Sequence, residues 1–208
     1  MKFTLSDLKR EIEGPQNISE VDSNELKEQI RVTTAGLQSK AITERNPVIF
    51  KSMVKYLAET KLKCRKKGLL YFGNPGTGKT FAAKVIAAFR DLHFYTCEEL
   101  ESKYEKSPDA FWEIIKERKD IVIDDLGTEK TRSDYGAKFE LMGKALSERH
   151  KLFEQYGVKT IITSNLSGPK NEEGKSIEDR YTTRIYSRLH QMCECVNAAG
   201  KDLRRFKG

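Results

Sequence analysis

The sequence predicts a doubly wound α/β domain, a parallel sheet flanked by helices on both faces. Three observations lead to it. Ile121-Val122-Ile123 and Lys159-Thr160-Ile161-Ile162-Thr163 are short β-branched runs without polar alternation, as strands covered on both faces are. Stretches with helical apolar spacing alternate with such runs, the order of successive βαβ units. A third apolar run ends in a glycine-rich turn that opens into a helix.

Each element follows in order. From about Asn46, Val48, Phe50, Met53, Val54 and Leu57 recur at helical spacing. Gly68-Leu69-Leu70-Tyr71-Phe72 is the first strand, and a helix is expected from about Lys79 to Arg90. A strand near His93–Thr96 precedes two helical segments across Cys97–Lys119, broken at Ser107-Pro108. Ile121–Ile123 is a buried strand, Lys138–Gln155 a long helix and Lys159–Thr163 another buried strand. A helix over Glu178–Gln191 and a strand over Cys193–Asn197 complete the pattern. No internal repeat interrupts it.

With 208 residues, the chain is one sizeable domain with a short appendage. Residues 1–45 are polar, broken at Gly14-Pro15, with a helical stretch around Ser23–Gln38. They read as an N-terminal extension too small for its own core, and 46–208 as the domain proper. A hydrophobic share of 38% suffices for that core, while 33% charged residues imply a heavily solvated surface. No run of ~18 apolar residues is present to span a membrane. Met1-Lys2-Phe3-Thr4-Leu5-Ser6-Asp7 meets charge too early for a signal peptide, so a soluble, cytoplasmic protein is expected.

Cys64, Cys97, Cys193 and Cys195 are too few and scattered for a disulfide framework or a zinc cluster. Cys193 and Cys195 alternate along a strand, which puts them on one face as core or half-buried thiols. Net charge is +7, and its distribution is uneven. Residues 1–47 hold 7 Lys/Arg against 8 Asp/Glu, and the remainder 31 against 23. The excess is densest at Lys61, Lys63, Arg65, Lys66 and Lys67, and at Lys201, Arg204, Arg205 and Lys207, clusters that suit phosphate backbones or acidic partners.

Gly73-Asn74-Pro75-Gly76-Thr77-Gly78-Lys79-Thr80 matches the phosphate-binding loop G-x-x-x-x-G-K-[ST] in full, between a strand and a helix. Its glycines let backbone N–H groups wrap a phosphate, and the helix N-terminus adds its positive dipole end. Lys79 would neutralise β- and γ-phosphates, and the Thr80 hydroxyl would ligate Mg2+. Phe81, next on the helix, closes this candidate binding set. Asp124 and Asp125 follow three β-branched residues, where ionised carboxylates are hard to explain as packing. Asp124 is assigned to Mg2+, and Asp125 to orienting or deprotonating a water. Asn165 follows the next strand on the same sheet edge, within reach of a γ-phosphate or that water.

The loop Gly73–Thr80, Ile121–Gly127, Thr160-Ile161-Ile162-Thr163-Ser164-Asn165-Leu166, Ser187-Arg188-Leu189 and Gly200-Lys201-Asp202-Leu203-Arg204 form an ordered set. Together they resemble the AAA+ ATPases, specifically the DnaC/DnaI helicase-loader and IstB branch, from about Leu69 to Arg205. The resemblance implies a P-loop NTPase with an AAA+ core that binds ATP/ADP and Mg2+ and hydrolyses ATP. It makes Arg188 the finger that reaches a neighbouring subunit's γ-phosphate, with Arg184, one turn earlier, as alternative or helper. Nineteen residues follow Leu189, too few for a helical lid with its sensor-II arginine. No C-terminal lid is therefore expected, and ATP should favour head-to-tail self-association into an open spiral or ring.

That branch implies a replicative helicase as partner, held by the N-terminal extension, and single-stranded DNA. Tyr104, Phe111 and Trp112, with Lys103, Lys106, Lys116, Arg118 and Lys119, lie where loaders insert a DNA-lining helix. Phe111 and Trp112 are read as core residues rather than stacking platforms. An IstB-like transposition helper is the nearest alternative. A small P-loop kinase is the alternative of another class, disfavoured by the paired aspartates, Asn165 and Arg188. A module that holds nucleotide with little turnover is the remaining reading.

Overall fold

The computed structural model describes residues 46–61, 66–129, 132–134, 137–198, 200 and 202. The N-terminal extension and the helix expected over Ser23–Gln38, Cys64, and Lys63, Arg65, Lys201, Arg204, Arg205 and Lys207 lie outside them.

Helix α1 (Pro47–Lys61) precedes β1 (Gly68–Phe72), which leads to α2 (Lys79–Arg90) and β2 (His93–Thr96). Helices α3 (Cys97–Lys106) and α4 (Pro108–Lys116) come before β3 (Ile121–Leu126). A hairpin of β4 (Arg132–Asp134) and β5 (Ala137–Phe139) then leads to α5 (Leu141–Tyr156), β6 (Thr160–Ser164), α6 (Ile177–Met192) and β7 (Cys193–Asn197).

Five strands form one parallel sheet in the order β2-β3-β6-β1-β7. Side chains of period two divide the core between its faces. Leu69, Tyr71, Val122 and Ile161 pack with Ile49, Met53 and Leu57 of α1 and Ala82, Val85 and Ile86 of α2. Leu70, Ile121, Ile123 and Ile162 face the other way, against Leu100, Phe111, Ile115, Leu146, Tyr181 and Leu189 of α3 to α6. Each such side chain contributes about 1.5–3 kcal/mol by leaving water. Coverage on both faces is why the strands tolerate no polar alternation.

Local signals set the helix ends. Thr96 and Glu99 form a capping box that starts α3, and Ser176 and Asp179 do the same for α6. Ser107 closes α3 and caps α4, with Pro108 in the first turn, where its missing N–H costs nothing. Phe111 is fully buried and Trp112 partly buried against the same cluster, so both belong to the core. Cys193 is buried and Cys195 half-buried, as their shared face implies.

Arg149 on α5 is fully buried and donates only to neutral oxygens. Its Nε reaches Thr160 Oγ1 at 3.0 Å, Nη1 the Glu117 carbonyl at 2.9 Å, and Nη2 the Lys119 carbonyl at 2.7 Å. It thereby ties the end of α4 to the start of β6, satisfying carbonyls that a helix C-terminus leaves orphaned. Burial pulls its guanidinium down to about 10.

Two boundaries differ from the sequence expectation. The long helix begins at Leu141, not Lys138, because Lys138 lies in β5. Residues 128–140 lack apolar periodicity, and strands of three residues leave no pattern to read. Strand β3 continues past Ile123 to Leu126, with a register shift between them, so both aspartates lie within the strand. No helix follows β7 among the described residues.

Candidate nucleotide site

Strand β1 sits between β6 and β7, with Phe72 level with Ser164 and Asn197. The loop after it therefore hangs from the C-terminal edge between two strand ends, the position where ligands of open α/β sheets collect. Gly73 N–H donates to the Leu166 carbonyl at 3.1 Å, and Ala198 N–H to the Phe72 carbonyl at 2.7 Å. Gly73, Gly76 and Gly78 hold φ of 117°, 76° and 98°, which L side chains rarely adopt. Gly78 is also the N-cap of α2 and offers no side-chain cap, so backbone N–H groups at this helix start suit an anion.

Thr77 is buried, and its hydroxyl donates to the Asn74 carbonyl at 3.1 Å. Asn74 and Pro75 are exposed at the loop tip, and Phe81 packs half-buried against the α1–α2 core. Lys79 is 4% exposed, with Nζ 2.8 Å from the Gly73 carbonyl and 2.6 Å from that of Asn74. Its ammonium is thus drawn across the loop it follows.

Asp124 is 2% exposed. Its Oδ1 accepts the Thr163 hydroxyl at 2.5 Å, and the Thr80 side chain lies beside the carboxylate. Burial raises this carboxyl above its ordinary range and the nearby Asp125 charge adds to that, while the two threonines oppose it. Thr80 and Asp124 together present hard oxygen donors of the kind Mg2+ takes. Asp125 is half-buried at φ 55°, the left-handed region that Asp tolerates better than most residues. Its N–H donates to Thr163 Oγ1 at 2.9 Å, and Asn165 Nδ2 donates to its Oδ1 at 3.2 Å. The register shift in β3 gives the consecutive aspartates separate surroundings: Asp124 faces Thr80, and Asp125 faces Asn165.

The structure thus brings the loop, Asp124, Asp125 and Asn165 to one sheet edge. Arg188 is elsewhere, on α6, where Nη1 donates to Ser147 Oγ of α5 at 2.8 Å. Arg184 is exposed on the same helix.

Residues 69–188, more than half of the chain, match the family model described as "ATPase family associated with various cellular activities (AAA)". The chain belongs to the AAA ATPase family. Nucleotide binding and ATP hydrolysis are the general properties of an AAA ATPase, and the glycine-wrapped loop is a fitting place for them. Spastin of Gallus gallus is 29% identical over 141 residues, 62% of this chain and 23% of spastin. This AAA ATPase therefore spans less than a quarter of the length of the curated relatives it matches. Among solved structures, DnaI aligns over 74% of this chain and 84% of its own, with a TM-score of 0.51 and 19% identity. The DnaC helicase loader covers 89% and 93%, with a TM-score of 0.45 and 21% identity. At such identities the likeness to DnaI is one of fold.

Several residues at the AAA site escaped the sequence reading. Thr163 was visible only as a strand residue, although it bridges both aspartates. Asn46 caps α1 through Oδ1 and donates to the Thr77 carbonyl at 3.1 Å through Nδ2. An Asn before a proline is a helix-start signal, and nothing in it announces the loop 31 residues later. Asp202 lies against Gly76, where a Cβ would stand 1.8 Å from its Oδ1. Buried Glu129 and Tyr181 form a group with half-buried Arg180 close to that strand edge, seen only in three dimensions.

Proposed function

We propose that this AAA ATPase hydrolyses ATP, with Mg2+, to load a replicative helicase onto single-stranded DNA. One observation carries the reading: the loop, Asp124 and Asp125, and Asn165 converge on one sheet edge, within a motif set that resembles the DnaC/DnaI and IstB branch. The fold likeness to DnaI supports it.

In this reading the loop Gly73–Thr80, through backbone N–H groups other than that of Gly73, which Leu166 already takes, and through the Lys79 ammonium, holds the β- and γ-phosphates. Phe81, in the first turn of α2, anchors that helix start by packing half-buried against the α1–α2 core. Thr80 and Asp124 would hold Mg2+, which would supply charge neutralisation for the phosphates. Asp125, steadied by Asn165, orients or deprotonates the attacking water. The hydrogen bond between the two fixes the carboxylate before substrate arrives.

Arg188, with Arg184 as alternative or helper, completes the pocket of a neighbouring copy. Neither donates to the loop or the two aspartates within its own copy among the described residues, as a residue acting in trans requires. Head-to-tail association follows from that division of labour. Residues 1–45 are the helicase-binding extension and 46–208 the ATPase domain. Lys103, Lys106, Lys116, Arg118 and Lys119 on and after α3 and α4 are the candidates for DNA phosphates.

The test is co-elution with a replicative helicase in the presence of ATP, together with phosphate release stimulated by single-stranded DNA. Lys79→Ala abolishes nucleotide binding. Arg188→Ala leaves binding intact and lowers turnover. Stimulated hydrolysis without any helicase association overturns the loading function in favour of the IstB-like helper.

A further inference from the structure

Glu129 is 4% exposed, although the adjacent Thr128 is exposed and the aspartates of β3 lie just upstream. Its carboxylate collects donors from two parts of the fold, the exit of β3 and α6. The Gly127 N–H donates to Oε2 at 2.9 Å. Arg180 Nε and Nη2 each donate to Oε1 at 3.2 Å, and Nη2 donates also to the Glu129 carbonyl. The Tyr181 hydroxyl donates to Oε1, and the buried Cys97 thiol at the start of α3 lies beside the same carboxylate. A buried ion pair adds little net stability over an apolar replacement, but it fixes one arrangement of the groups it joins.

The segments it joins are informative. On one side stands Asp125-Leu126-Gly127. Gly127, at φ 104°, is pressed against Leu166, the residue after Asn165, so that a Cβ there would stand 2.6 Å from Leu166 Cδ1. The exits of β3 and β6 therefore shift together. On the other side stands Arg180-Tyr181, followed at once by Thr182 with φ 80° and ψ 153° inside α6. That conformation is close to glycine-only, and a β-branched residue holds it only when its neighbours enforce it. The regular helix beyond the break carries Arg184 and Arg188.

We propose that Glu129 is a positioning residue that ties the arginine-bearing part of α6 to the Asp125–Gly127 segment, so that the placement of this segment in each copy sets how that copy presents Arg188 to its neighbour. The proposal rests on the reading of Arg188 as a finger acting in trans. Thr182 is the joint: with Arg180 and Tyr181 clamped on one side, a displacement of the β3 exit turns the helix beyond it. Loss of the carboxylate uncouples the two while leaving the loop and the paired aspartates their own hydrogen bonds.

Mixed assemblies separate this effect from a structural one. Arg188→Ala subunits keep their pockets and lack the finger, and Lys79→Ala subunits lack the pocket and keep the finger. Saturating Lys79→Ala donor restores ATP turnover to the Arg188→Ala recipient if the finger works in trans. A donor carrying Lys79→Ala and Glu129→Gln restores roughly tenfold less kcat at saturation, with the recipient's KM for ATP unchanged. A Lys79→Ala/Tyr181→Phe donor, which loses only one hydroxyl, restores an intermediate level and guards against misfolding of the first. Full restoration by both double variants overturns the proposal. A Lys79→Ala donor that restores nothing overturns the finger reading itself, and the proposal with it.

Discussion

The Thr163 hydroxyl donates to Asp124 Oδ1 at 2.5 Å, and Thr163 Oγ1 in turn receives the Asp125 N–H at 2.9 Å. A hydroxyl has one proton to give, so accepting from Asp125 while giving to Asp124 settles its orientation. Thr163→Val keeps the shape and removes both bonds. It leaves a buried carboxylate short of a donor and a backbone N–H unpaired, and costs about 1–3 kcal/mol of stability. Thermal unfolding reads that loss, and turnover falls with it while nucleotide still binds.

Asp124 carries the opposite sign for stability. Its carboxyl is held above the ordinary range, chiefly by burial, so the folded protein binds this proton more tightly than the unfolded chain. Between the two values the native state holds more protons, and stability falls as pH rises. Above the folded value the penalty is fully present; as pH falls through it, the penalty disappears. Asp124→Asn therefore raises the melting temperature at neutral pH in metal-free buffer. The gain shrinks on acidification, and ATP turnover is lost. Melting curves across the weakly acidic range check the sign.

Asp125 lies at φ 55°, where Asn and Gly are tolerated and Ala is strained. Asp125→Asn keeps the melting temperature and the affinity for ATP, yet lowers kcat by about 10²–10⁴, the usual worth of a general base. Asp125→Ala loses activity and also about 1 kcal/mol of stability, and the difference between the two melting curves isolates the backbone contribution.

Arg149 binds four carbonyls and the Thr160 hydroxyl from a fully buried position. Arg149→Met fills similar volume and strands those acceptors, a loss of about 3 kcal/mol or more. Lys restores little, because a point charge cannot span the fork of acceptors. Denaturant midpoints of the three proteins rank Arg well above both substitutions.

The strands were legible because coverage on both faces demands uninterrupted apolar runs, and Gly68–Phe72 and Cys193–Asn197 emerge with the expected bounds. The loop and the acidic pair were legible as a place because glycine spacing and misplaced charge are local facts. The β4–β5 hairpin was not, since Thr128–Glu140 offers no period to distinguish strand from helix. Glu129 was hidden for a different reason. In sequence it is one more acid in a charged stretch, and its burial depends on Arg180 and Tyr181, some fifty residues away. Thr163 carried no sign of its bridging part, because a threonine in a strand already has a sufficient explanation in β propensity.

The first strand of the sheet finds both its neighbours, β6 and β7, far later in the chain. During synthesis, therefore, the glycine turn leaves the ribosome long before the two walls that shape it exist. A nascent chain would remain catalytically silent until almost all of the described domain had emerged, and closing those long loops is the slow, entropically costly part of its folding. Competence for nucleotide thus reports that the last strand has docked.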